Sequence, residues 1–122
     1  MSRLLDRAIA ELLGHKLVKP GTEVFGILLP ENDFFKQESE TAYRRVPNYC
    51  EDGNAMLELD REMSWRGWFI RSMMVFIGDI FIGYSLIEDD EIVRTVVGQA
   101  ETEPLARALA VYKALTGKEW SE

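Results

Sequence analysis

One cysteine and one histidine occur among 122 residues, and each scarcity removes a class of chemistry. The lone thiol, Cys50, cannot close an intramolecular disulfide and fits a reducing compartment better than an oxidising one. The lone His15 cannot build a multi-histidine metal site, and a Cys–His pair would need Cys50 to fold beside it. The acid clusters lack the alternation of a calcium loop. A glycine-rich phosphate loop, a strand–turn GxSxG and zinc-ligand spacing are missing as well. Basic residues are also in short supply. Acids outnumber them 21 to 14, which gives a formal charge of −7, and no three bases are consecutive. Duplex binding draws its affinity from clustered cations, so a duplex nucleic-acid partner is disfavoured. The longest strongly apolar stretch, Trp68 to Ile87, is broken by Arg71, Gly78, Asp79 and Gly83, which makes it strand material and not a membrane span. The charged, amphipathic start has no unbroken apolar core of the kind a signal peptide needs. The expectation is a cytoplasmic, non-enzymatic protein with no cofactor, no metal and no membrane partner.

What is present reads as one α+β domain over residues 1–122, in the order α-β-α-β-β-β-α. Leu4, Leu5, Ala8, Ile9, Leu12 and Leu13 recur at helical spacing between Ser2, a candidate cap, and Gly14, a stop. Arg3, Asp6, Arg7 and Glu11 fall on the other face. Thr22–Leu29 reads as a strand closed by Pro30, and 31–46 as a long loop with an embedded Phe34-Phe35. Asp52 is placed to cap a second helix, with Ala55, Met56, Leu59 and Met63 as its buried stripe. On its surface, Glu58/Arg61 and Glu62/Arg66 are spaced for ion pairs. Strands at 68–76, 80–87 and 91–97 follow, joined by turns short enough to demand antiparallel hairpins. The last helix starts near Thr102 and ends at Gly117, its stripe formed by Leu105, Ala108, Leu109, Tyr112 and Leu115.

The first of the three strands is apolar on both sides. By strict alternation, Trp68, Ile70, Met74 and Phe76 share one face, and Phe69, Met73, Val75 and Ile77 the other. The architecture this predicts is a sandwich-like, three- to four-stranded, mainly antiparallel meander covered by helices. The second face would be covered by further helices or by a second subunit. A homo-oligomer, most simply a two-fold dimer, is the corresponding partner expectation.

Binding residues are the chemistry that remains. Arg71, Arg94, Arg107 and Lys113 offer charge to an anion, and Phe81, Tyr84 and Tyr112 offer rings to stack on. Arg107 and Lys113 are six positions apart on one helix, about 600° of rotation, so they point to different sides. His15 and Cys50 read as structural. The acids Glu51, Asp52 and Asp60 would do acid–base work only if they shared a cleft.

Two stretches resemble a known family. Val46-Pro47-Asn48-Tyr49-Cys50-Glu51-Asp52-Gly53-Asn54-Ala55-Met56 is similar to the helix-opening segment of the phage ABA-sandwich family. Thr102-Glu103-Pro104-Leu105-Ala106, running into Tyr112-Lys113-Ala114-Leu115, is similar to its closing helix. The likeness covers about residues 46–117 and implies a phage or prophage origin, a sheet between helical layers and an infected bacterial host. A further similarity, to the first type of Thoeris anti-defence proteins, implies a sponge that binds a small nucleotide signal without turning it over. Lys113 matches one of the paired bases that type carries on its last helix. Leu109 stands where the other belongs, so Arg107 would have to substitute. The alternative is an acidic inhibitor that mimics nucleic acid and blocks a host protein. A double-stranded RNA-binding domain shares the closing strand–helix order, but Glu101 and Glu103 stand where its lysines would be.

Overall fold

The computed structural model describes residues 2–121. Helix α1 (Ser2–Leu12) buries Leu5, Ile9 and Ala10, and Leu13 just past its end is buried as well. Ser2 opens it, and the capping role expected of its side chain lies outside the described residues. Gly14 ends it at φ +86°, and the His15 N–H closes back onto the Ala10 carbonyl at 3.0 Å. A side chain there would be strained, which is why the stop is a glycine. Asp6 departs from the polar face expected of it. It is buried, and its carboxylate accepts the Cys50 N–H at 3.0 Å and Arg3 Nη1 at 3.0 Å. Burial pushes this carboxyl above its ordinary pKa, against those two donors. The contact ties α1 to the turn that leads into the second helix.

Residues 16–45 hold more structure than expected. Strands β1 (Lys16–Val18), β4 (Phe35–Gln37) and β5 (Tyr43–Arg45) form a small antiparallel sheet in the order β1-β4-β5. The expected strand at 22–29 is instead a tight hairpin. Its arms, β2 (Glu23–Val24) and β3 (Ile27–Leu28), turn at Phe25-Gly26, both at positive φ.

Helix α2 (Gly53–Trp65) begins as expected, with Asp52 in an extended conformation accepting the Asn54 N–H at 2.9 Å. Its expected surface pairs do not form. Glu58 takes Arg44 of β5, Glu62 takes His15, and Arg66 caps the Leu13 carbonyl. All three reach other elements, so α2 is tied to the small sheet and to the end of α1.

Strands β6 (Trp68–Phe76), β7 (Asp79–Glu88) and β8 (Glu91–Ala100) make the expected antiparallel meander, with β6 and β8 as its edges. Helix α3 (Glu103–Thr116) lies across β7 and β8, α2 meets β6, and α1 packs on α3 and β1. The architecture is α+β with antiparallel sheets. One face of the meander is covered, through Trp68, Ile82, Tyr84 and Val96. The other is bare.

A bulge changes which residues share a face. Ile70 pairs with Tyr84 and Ser72 with Gly83, leaving Arg71 extra. Trp68, Ile70, Met73 and Val75 therefore point to the helix side, and Phe69, Ser72, Met74 and Phe76 to the open side. Strict alternation had grouped them otherwise, because one inserted residue inverts the parity of everything after it.

Candidate functional site

The seven residues expected to form a ligand site lie in several separate places. Tyr84 and Arg107 do come together, on a third residue that was not in the set. Asp60 of α2 accepts hydrogen bonds from the Tyr84 hydroxyl and from Arg107, which also reaches Glu103 at 2.7 Å. Burial pushes the Asp60 carboxyl above its ordinary pKa, and burial likewise raises Tyr84. Arg107 is thus held by two carboxylates under the sheet, where its charge is already answered. Lys113 donates to Glu119 at 2.6 Å in the last turn of α3, where a helix favours cations and repels phosphate. Tyr112 meets Trp120 edge-on, with ring centroids 5.1 Å apart. Arg94 sits over Trp68, 5.9 Å from the ring centroid. Phe81 lies on the open face between Met74 and Gln99, and Arg71 occupies the bulge of the edge strand.

Two other groups settle into structural contacts. Burial pushes the Cys50 thiol well above its ordinary pKa, which makes it a poor nucleophile. His15 stands between Lys36 Nζ, 3.2 Å from Nδ1, and Glu62 Oε1, 3.2 Å from Nε2. An ammonium can only donate, so Nδ1 accepts and Nε2 carries the proton toward the glutamate. The chain Lys36–His15–Glu62 joins β4 to α2 through a half-buried imidazole. The acids Asp52 and Asp60 part company, one capping α2 and the other bonded to Tyr84.

Three of the cations that enter no ion pair lie elsewhere, around β1. Ten ion pairs among the described residues engage Arg3, His15, Lys36, Arg44, Arg45, Arg107 and Lys113. Arg7, Lys16 and Lys19 are in none of them. On one side of β1 a cleft of about 270 Å³ holds Arg7, Lys19, Phe34 and Phe35, with Glu11 at its wall. Arg7 stands 5.2 Å from the centre of the Phe34 ring. On the other side, under the β2–β3 hairpin, a cleft of about 480 Å³ holds Lys16, Lys19, Phe25 and Tyr43, with Glu23 and Glu40. Phe25 and Tyr43 meet edge-on at 6.1 Å. Lys19 borders both clefts. Nothing in the local pattern announces this grouping, because a three-residue strand has no period to read. The visible signs are Lys16 and Lys19 flanking Leu17-Val18, and the Phe34-Phe35 pair.

No family model matches the chain, no curated protein is similar to it, and no solved structure resembles it.

Proposed function

We propose that the protein is a non-catalytic binding protein that holds a small, anionic, ring-bearing ligand of the nucleotide class, and that the ligand sits in the clefts flanking β1. The observation that carries this is the gathering of Arg7, Lys16 and Lys19 beside four aromatic rings, with no carboxylate among the described residues in an ion pair with any of the three. Unpaired cations are free to take phosphate through charge-assisted contacts, and ring faces hold a base without reading its edge. Sequestration without turnover suits a chain whose buried ionisable groups already answer one another at Asp60 and at His15. A phage accessory protein that withdraws a nucleotide signal from its host would need no more than this.

Calorimetry against cyclic dinucleotides, ADP-ribose and nucleoside diphosphates tests the proposal, with the ligand recovered after heat denaturation and its integrity checked. A charge-assisted contact is worth about 1.5–3 kcal/mol, so Lys19→Ala should weaken binding roughly tenfold or more. Lys113→Ala should leave affinity unchanged. Absence of binding across the panel refutes the ligand class, and altered ligand on recovery refutes sequestration. A loss confined to Lys113→Ala would return the site to α3.

A further inference from the structure

The meander has an edge built to be covered. β6 is nine residues long, and only its β7 side is paired. Monomeric proteins blunt such an edge with short strands, charge or proline, because it templates pairing with another chain. β6 carries one charge, Arg71, and that residue sits in the bulge. Beyond the bulge, the strand is bare on both faces at once. Met73 and Val75 are 57% and 68% exposed on the helix side, Met74 and Phe76 are 60% and 62% exposed on the open side, and Ile77 at the tip is 91% exposed. A partner stacked on one face would hide only half of these side chains. A strand added in the plane of the sheet shields both faces.

We propose that the added strand is β6 of a second copy of this chain, paired antiparallel about a two-fold axis at Met74. The regular stretch, residues 72–76, is symmetric about that point. Ser72 would face the partner's Phe76, small against large on the open side, and Met73 would face the partner's Val75 on the helix side. Met74 would face its own counterpart. Such an interface is isologous and closes at two copies, giving a continuous six-stranded sheet. Charge favours the same edge. The chain carries a formal −7, yet β6 contains no carboxylate, so two acidic molecules can meet there without opposing like charges.

Light scattering on the full chain at tens of micromolar should give twice the 14.0 kDa mass of one chain. Met74→Glu would set two carboxylates opposite one another and should return the mass to one chain, with an unchanged circular dichroism spectrum. Residues directly opposite in an antiparallel pair have Cα atoms about 4.5–5.5 Å apart, within disulfide reach. Met74→Cys should therefore cross-link on mild oxidation, whereas Phe69→Cys, outside the paired stretch, should not. A wild-type monomer overturns the proposal, as does a dimer that survives Met74→Glu. Cross-linking through Phe69→Cys but not Met74→Cys would overturn edge pairing in favour of stacked faces.

Discussion

At the scale of single residues, carboxylates do most of the joining between distant parts of the chain, and their protonation pulls in two directions. Arg44 meets Glu58 with two parallel contacts, Nη1 to Oε1 at 3.2 Å and Nη2 to Oε2 at 2.8 Å. That hydrogen bonding holds the Glu58 carboxyl below its ordinary value of 4.5. A depressed folded pKa means the pair stabilises the fold fully above 4.5, and the gain is lost as pH falls through the lower folded value. Asp60 acts in the opposite sense. Burial raises its pKa above 3.8, so the fold gains from its protonation as the solution is acidified. Comparing wild type with Glu58→Gln isolates the first effect. Both partners of the pair are partly exposed, so the difference should stay below about 1 kcal/mol, or about 4 °C in melting temperature. Melting curves should show this gap at neutral pH and its closure as pH drops below 4.5. A gap that persists in acid would mean Arg44 does not favour the ionised glutamate.

At the scale of elements, α3 and β8 approach each other closely at a glycine. Gly98 faces the helix, and a Cβ placed on it would lie 2.1 Å from the Ala106 carbonyl oxygen and 2.5 Å from the Ala110 nitrogen. The residues α3 buries fully are small: Ala106, Ala108, Ala110, Val111 and Ala114. The larger Leu105, Leu109, Tyr112 and Leu115, read from the sequence as its stripe, are only partly buried. Gly98→Ala should therefore cost about 3 kcal/mol, the upper end of ordinary overpacking, as α3 is forced off the sheet. Gly53→Ala, where an added Cβ meets nothing, is the control for urea denaturation. Equal midpoints for the two variants would put α3 farther from β8. The helices and the three long strands were legible because each runs long enough to show a period or carries a cap such as Asp52. The small sheet and the hairpin were not, since strands of two or three residues show no alternation. The faces of β6 were misread for one local reason, the extra residue at Arg71. The ion pairing within the expected ligand set was illegible for another: a cation in a sequence looks available, and only the fold shows Glu119 beside Lys113, or Asp60 and Glu103 beside Arg107.

At the scale of the whole molecule, the acidic β7–β8 turn and the acid-free β6 edge set how copies would meet. The turn between β7 and β8 carries Glu88, Asp89, Asp90 and Glu91 in a row, while β6 carries no acid. Two chains joined at β6 would bring their apolar edges together and still add two bodies of formal charge −7. Long-range repulsion then opposes the assembly that the edge favours. Salt screens the first over about 8 Å at physiological ionic strength and leaves the second almost untouched. Association should accordingly strengthen with added salt, contrary to what a dimer held by ion pairs would do. It should also couple to stability, because a contact made only by folded chains raises the melting temperature as protein concentration rises. Thermal melts over a wide range of concentration should show that rise for the wild type, larger in high salt, and a flat line for Met74→Glu. A wild-type melting temperature independent of concentration at every salt would leave β6 an uncovered edge, and some other feature would then have to account for its exposed methionines.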